Sequence, residues 1–460
     1  MKEDQVKSLM IEQDQFLKSE KSKSISERIQ TLEKLKASIK SHEQDIVDAL
    51  YKDFQKPEFE VFTTELFVAY KELNLFIKKI KKWSKPKSIS SAWLNFPSSD
   101  KIYYVPWGKV LVIAPWNYPF QLAITPVIGA IACGNTVVLK PSEHAPYTAD
   151  VLEKIISEVF EDSQAKVIQG AVDTAQILLD QKWDYVFFTG SVPVGRIVSQ
   201  QIAKHMTPHT LELGGKNPCI IDASANLDIA AKRVCWGKFL NAGQTCIAPD
   251  YLLIHSDIRE KFQQKLIETL KDFYGDSSKA SSDYARIIHA SHFERLDGFL
   301  NDQNVIYGGI SNAETNFIFP TLVDSPDFDS PLMKEEIFGP ILPLFSFTDF
   351  KDLEETINSF EKPLSLYVFS ENSSFTNQVN QSFDFGGGVI NDTIVHFVND
   401  KLPFGGVGAS GVGNYHGRAS FEAFTRQKPI VHRKNWLDIP IKYPPYKRLD
   451  SFKSFLNLFR

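Results

Sequence analysis

Cys246 sits in GQTCIAP, residues 243–249, behind a glycine and two small polar residues and ahead of an apolar run. Small neighbours leave room for a substrate in front of the sulfur. As a thiolate, the reactive form, it would attack an electrophilic carbon. The three other cysteines lie in IGAIACGN (Cys133), NPCII (Cys219) and KRVCWGKF (Cys235). Each reads as a small core hydrophobe. No C-x-x-C spacing or nearby histidine pair accompanies them, which argues against structural zinc. Four cysteines in 460 residues form no disulfide framework, so the compartment reads as reducing.

A nucleophile of this kind needs a base and an oxyanion site. Glu212, in LELGGK (211–216), stands between Leu211 and Leu213 ahead of a glycine pair. A carboxylate among apolar neighbours has a raised pKa, which suits a general base near neutral pH. The alternative is an exposed glutamate at a strand edge. Asn117, in PWNYP (115–119), follows the strand pattern VLVIA, and its amide beside a backbone N–H could hold an oxyanion.

Three further motifs point toward a nucleotide. DYVFFTGSVPVGR (184–196) sets Gly190-Ser191-x-x-x-Gly195 between a strand pattern and a helix pattern from Val194 onward. Free N–H groups and the helix dipole at such a turn attract an anion. The spacing matches neither G-x-G-x-x-G nor the phosphate loop, where Arg196 would have to be lysine, so pyrophosphate site and plain tight turn both stay open. LKPSE (139–143) ends another strand pattern, and Lys140 with Glu143 suits either ribose hydroxyls or a solvated loop. EEIFGP (335–340) places Glu336 before Ile337, Phe338 and a Gly-Pro turn.

These motifs need elements to hold them. Residues 1 to about 85 carry helical periodicity, ended by Pro86. Residues 87–104 are polar with aromatics and suggest a projecting strand pair. From 105, β-rich runs (GKVLVIAP, NTVVLKPS, AKVIQG, DYVFFTG) alternate with helical ones, which reads as parallel βαβ units in a doubly wound sheet. A second α/β stretch over 211–412 contributes NPCIID, YLLIHS, PLSLYVFS and VIND as strands. The fold class is therefore α/β: a doubly wound parallel-sheet nucleotide-binding domain (1–86 and 105–210), a second α/β catalytic domain (211–412), and a small β bridging element (87–104 and 413–460).

Length predicts two to four domains. The hydrophobic fraction of 43% and charged fraction of 23% fit a folded soluble chain, and a net charge of −5 gives no case for nucleic acid. MKEDQVKSLMIEQDQ lacks the apolar core of a signal peptide. The run from Tyr118 to Leu139 is broken by Pro119, Pro126, Gly129 and Gly134, so it reads as buried helix, turn and strand, not as a membrane span. The last 30 residues carry seven Lys or Arg against Asp438 and Asp450. Within them Phe452, Phe455, Leu456 and Phe459 fall at i, i+3, i+4 and i+7, a basic amphipathic pattern suited either to an anionic membrane surface or to packing on the protein.

Together and in this order, PWNYP, LKPSE, FTGS…VG, LELGGK, GQTC, EEIFGP and LPFGGVGASGVG (402–413) resemble the aldehyde dehydrogenase superfamily over essentially the whole chain. GQTCIAPDY, INDTIVH and GNYHGRASFEAFT resemble its class 3 branch of medium-chain, fatty and aromatic aldehyde dehydrogenases. The resemblance implies that Cys246 is the nucleophile, Asn117 and the Cys246 N–H the oxyanion site, and Glu212 the base that activates water. It implies NAD as cofactor, with NADP also accepted. Lys140 and Glu143 would hold the adenosine ribose, Gly190 and Ser191 the pyrophosphate, and Val194 the adenine. Glu336 would hold the nicotinamide ribose and Phe338 the nicotinamide end, with Trp116 and Leu213 completing the cofactor site. It further implies an aldehyde substrate, a homodimer, and a cytoplasmic enzyme, peripheral at a membrane surface if the tail binds there. Rival readings are a cysteine hydrolase or esterase, which would want a histidine beside the thiol, a non-catalytic binding relative, and a CoA-acylating enzyme, against which Glu212 weighs.

Overall fold

The apolar runs KVLVI, TVVLK and YVFFT form the strands Lys109–Ile113, Thr136–Lys140 and Tyr185–Thr189. Their β-branched and aromatic side chains are almost wholly buried, as expected of parallel strands covered on both faces. They belong to a six-stranded sheet. Its order is Gly411–Val412, His209–Glu212, Tyr185–Thr189, Lys109–Ile113, Thr136–Lys140 and Ala165–Val167. All neighbours run parallel except the first pair. The computed structural model describes residues 3–275, 282–438, 443–446, 449, 450 and 453.

Two compact units emerge: Met1–Trp83 with Pro106–Thr425, and Ser84–Val105 with Arg426–Arg460. The first holds the six-stranded sheet and a second sheet of seven strands. That sheet runs Val305–Tyr307, Thr321–Asp324, Ile341–Phe347, Tyr251–His255, Pro218–Ile221, Ser365–Phe369 and Gly387–Ile390, parallel throughout except for the first pair. The strand Ile341–Phe347 was not foreseen, because Pro343 interrupts its pattern. The smaller unit holds a three-stranded sheet in which Lys87–Ile89 pairs antiparallel with Ser98–Pro106, and Thr425–Arg433 completes it.

The N-terminal periodicity becomes the helices Glu3–Lys18, Ile25–Ser41, Glu43–Phe54 and Phe67–Trp83, with Glu58–Glu60 running into a π-helical turn at Val61–Leu66. Val6 and Leu9 join the core beneath the first sheet. The Tyr118–Leu139 run contains the buried helix Gln121–Cys133, which ends where Gly134 takes φ 92°, a left-handed cap that glycine adopts without strain. Helix Val192–Ala203 begins two residues before the expected Val194, with Pro193 in its first turn, where a missing N–H costs nothing. Among the described residues no helix is long and apolar enough to cross a membrane. The amphipathic pattern at Phe452, Phe455, Leu456 and Phe459 lies outside them.

Candidate active site

Strands Lys109–Ile113 and Tyr185–Thr189 are neighbours at the point where the order of the six-stranded sheet reverses. Loops leaving their carboxyl ends diverge, and the crevice between such loops is where doubly wound sheets bind ligands. One loop carries Trp116 and Asn117; the other carries Gly190 and Ser191. All four line a cavity of about 720 Å³, together with Glu212, Cys246, Glu336 and Phe338. A second cavity, about 460 Å³, is walled by apolar side chains including Phe62, Phe67, Val68, Trp236 and Phe397. Leu122, Thr189, Glu212 and Cys246 line both, so the thiol stands where the two spaces meet.

The remaining expected residues lie apart from the first cavity's lining. Leu213 borders the second cavity and packs where a Cβ on Gly195 would fall, 2.5 Å from its Cδ2. Lys140 is buried and pairs with Glu143 at 2.6 Å; neither lines either of these two cavities. Val194 is exposed on the first turn of its helix.

Cys246 is the one cysteine of the four that is not fully buried. It follows a tight turn after helix Leu227–Phe239 and precedes strand Tyr251–His255. The Asn217 amide, fixed by accepting the Ser365 N–H, donates to the Cys246 and Ala248 carbonyls at 2.7 and 3.0 Å. Tyr367 Oη donates to the Ile247 carbonyl at 2.6 Å. Burial raises the thiol's pKa, the Glu336 and Glu212 carboxylates raise it further, and the N–H groups of Cys246 and Ile247 favour the anion. The resting sulfur is thus protonated, with donors already aimed at negative charge beside it.

Glu212 ends its strand level with Thr189, and its carbonyl accepts the Gly190 N–H at 3.0 Å. Neither side-chain oxygen has a hydrogen-bond partner, and burial alone drives its pKa well above the ordinary carboxyl range. An unpartnered carboxyl with a raised pKa at a cavity wall is able to exchange a proton nearer neutral pH than an ordinary carboxyl. Asn117 Nδ2 donates to the Gln244 carbonyl at 3.0 Å, and Asn241 Nδ2 donates to the Asn117 carbonyl at 2.8 Å.

On the opposite wall, Glu336 lies against Gly214, where a Cβ would fall 2.0 Å from its Oε2. Burial and the charge of Asp250 push the Glu336 carboxyl up to about 8. Phe338 adopts φ 53° and meets Trp116 edge-on at 5.3 Å. Residues from other segments fix this loop. Arg295 donates to the Glu336 and Ile337 carbonyls at 3.2 and 2.7 Å. His292, pushed down to about 3 by burial and so neutral, bonds the Phe338 carbonyl at 2.9 Å. Lys216 pairs with Asp250 at 2.6 Å, and Asp250 accepts the Ile337 N–H at 3.0 Å. Lys216 alone had a signal, as the last residue of LELGGK.

The residues fit a dinucleotide. Helix Val192–Ala203 starts at Ser191 with no side-chain cap, leaving its first N–H groups toward the large cavity. Gly190 and Gly214 are held in close contact with their surroundings, since a Cβ on Gly190 would meet the Phe188 ring at 2.5 Å and one on Gly214 the Glu336 carboxylate at 2.0 Å. Among the described residues no group of His, Cys, Asp and Glu could hold a metal ion.

The model of the Aldehyde dehydrogenase family matches residues 1–430. The chain belongs to that family. It is 44% identical over 447 residues to the 4,4'-diaponeurosporen-aldehyde dehydrogenase of Staphylococcus aureus, covering 97% of each chain. To the dimeric NADP-preferring aldehyde dehydrogenase of Canis lupus familiaris it is 42% identical, over 93% of this chain and 95% of that one. A solved structure described as the substrate-bound state of Staphylococcus aureus AldH superposes with a TM-score of 0.96 at 43% identity, covering 99% of each chain. Family 3 members are also among its relatives, which agrees with the class 3 motifs.

Proposed function

We propose that this enzyme oxidises medium- or long-chain aliphatic, or aromatic, aldehydes to carboxylic acids with NAD(P). The observation that carries the reading is the position of Cys246 and Glu212 on the shared wall of two cavities, one built for a dinucleotide and one apolar. The apolar cavity takes the aldehyde's tail and presents its carbonyl carbon to the sulfur. Cys246 gives its thiol proton to Glu212, which releases it to solvent, and the sulfur adds to that carbon to form a thiohemiacetal. The developing oxyanion is met by the Asn117 Nδ2 and the Cys246 N–H. Bound NAD(P)+ supplies the hydride acceptor that turns this adduct into a thioester. Glu212 then takes a proton from water as the oxygen attacks the acyl carbon; the C–S bond breaks and the acid leaves. Splitting one oxidation into addition and hydrolysis gives each step a lower barrier.

Glu336, Phe338, Trp116, Gly190 and Ser191 would hold the cofactor, with Lys140 and Glu143 at its adenosine ribose. The charge of Glu143 favours NAD, whereas the canine relative is named NADP-preferring, so both are proposed as substrates. That relative's name also supports a homodimer, for which the strands of residues 84–105 and 426–433 are suited. Residues 1–86 and 105–210 would form the nucleotide domain and 211–412 the catalytic one, in a cytoplasmic enzyme that is peripheral at a membrane surface if its basic tail binds there instead of packing on the protein. Reduction of NAD+ and of NADP+ by a chain-length series of aldehydes tests the reading. Turnover rising toward longer or aromatic aldehydes is expected; no aldehyde-dependent reduction of either cofactor overturns it.

A further inference from the structure

Beneath the reaction centre lies a buried charged group that the chemistry above does not use. Lys56 and Glu65 are both fully buried and pair at 2.8 Å. The second Glu65 oxygen accepts the Gln121 N–H at 2.7 Å, at the start of the helix that follows the Asn117 loop. The Lys56 ammonium also lies 4.0 Å from the centre of the Tyr118 ring, and Tyr118 Oη bonds the Thr245 hydroxyl at 2.6 Å. Glu60, one turn away on the same segment and also buried, accepts the Asn241 N–H at 3.0 Å.

That last bond falls on an unusual piece of backbone. Asn241, Ala242 and Gly243 take φ 56°, 53° and 73° in succession. Side chains with a Cβ resist the left-handed region, and two in a row persist only when their surroundings hold them. Gly243 has no choice of residue, since a Cβ would lie 2.3 Å from the Gly339 carbonyl oxygen. This strained turn delivers Gln244, whose carbonyl takes the Asn117 amide, and then Cys246.

We infer that Glu60, with the Lys56–Glu65 pair, is a positioning device that holds the left-handed turn and the Asn117 loop in register, so that the thiol and the oxyanion donor converge. The inference rests on Cys246 being the nucleophile. None of the three side chains lines either cavity, so their effect passes through Asn241, Gln121 and Tyr118. A misplacement of about 1 Å is enough to cost a well-aligned reaction about 100-fold.

The test compares Glu60→Ala, Glu60→Gln and Glu60→Ala/Ala242→Gly with wild type. The readouts are kcat, the KM for NAD+, the rate of Cys246 alkylation by iodoacetamide, and the melting temperature. Expected for Glu60→Ala is a loss in kcat of about 10- to 100-fold and a changed alkylation rate, with the KM for NAD+ little moved. Glutamine keeps an acceptor for the Asn241 N–H and should restore most of kcat. Glycine at 242 relaxes the strain and should recover part of it. The inference is overturned if Glu60→Ala keeps wild-type kcat and alkylation rate. It is equally overturned if all three variants lose activity only in proportion to loss of folded protein. Alkylation needs no aldehyde or cofactor, so this result stands apart from the oxidation reading, which would fail instead if Cys246→Ala still turned over aldehyde.

Discussion

The Asn117 side chain donates to the Gln244 carbonyl at 3.0 Å, two residues before the cysteine it is to serve. One Nδ2 hydrogen is committed to that bond, which fixes the amide plane. The other is not used in that bond, and Asn117 and Cys246 line the same cavity. If Asn117 is the oxyanion donor, it is held in place by the Cys246 loop before any substrate arrives. Asn117→Ala is expected to lower kcat by about 100- to 1,000-fold, the usual cost of one oxyanion donor, with little change in cofactor KM. Steady-state kinetics check this, and an unchanged kcat would remove Asn117 from the site.

The contact between Gly214 and Glu336 makes a sharper demand. A methyl group on residue 214 would overlap both carboxylate oxygens of Glu336, at 2.0 and 2.3 Å. Gly214→Ala must push that carboxylate from the large cavity's wall. The expected outcome is weaker dinucleotide binding, by about tenfold or 1.4 kcal/mol. Titration calorimetry with NAD+ measures it directly, and unaltered affinity would place the nicotinamide ribose elsewhere.

Chain-length preference should answer to Val68, which is buried in the wall of the apolar cavity. Val68→Phe shortens that space without touching the large cavity. Long aldehydes should lose at least about 10- to 200-fold in kcat/KM, the range that one methylene commands in an apolar pocket, while the shortest aldehydes lose little. Equal losses across the series would show that the tail binds in another place.

Many of the residues that gather at the two cavities were legible because each sits in a short contiguous motif whose local structure follows from its own sequence. Asn117 and Gly190 sit just past the ends of apolar β-runs, and Cys246 comes soon after a helix and three residues after a glycine. What could not be read came from distant segments. Arg295 and His292 face Phe338 only because helix Ala290–Gly298 packs there, and nothing in HASHFERL announces it. Strand Ile341–Phe347 was hidden by Pro343, because a proline in an interior strand normally argues against the strand. The strand pair at 87–104 was visible, but its third strand, Thr425–Arg433, lies over 300 residues away. The left-handed φ of Asn241, Ala242 and Phe338 is a tertiary imposition that residue type does not encode.

Stability should fall above neutral pH. Burial pushes Glu60 and Glu72 up to about 7 and Glu336 to about 8, from an ordinary 4.5. From 4.5 up to those values the folded state holds protons that the unfolded chain has released, so these groups lose stability as pH rises. Burial lowers His292 and His416 to about 3 and His396 to about 4, from 6.5. Below 6.5 the unfolded chain gains protons the folded one refuses, so these groups lose stability as pH falls. The two sets oppose each other between 4.5 and 6.5; above 6.5 the glutamates act without those histidines, and His42, raised by its bonds to Asp45 and Glu158, acts in the same direction. Melting temperature should therefore vary little over that range and drop toward pH 8. A melting temperature that climbs steadily to pH 8 would contradict this assignment.

The central claim is that Cys246 carries the acyl group and Glu212 releases it. In Glu212→Gln, turnover should fall by about 100- to 10,000-fold, as befits loss of a general base, while acylation proceeds. Intact-mass analysis of this variant, incubated with an aldehyde and NAD+, should show one acyl group per chain. Peptide mapping should put it on Cys246, and the Glu212→Gln/Cys246→Ala double variant should show none. An adduct on Cys133, Cys219 or Cys235, or none at all from a Glu212→Gln enzyme that still oxidises aldehyde at the wild-type rate, would contradict the account.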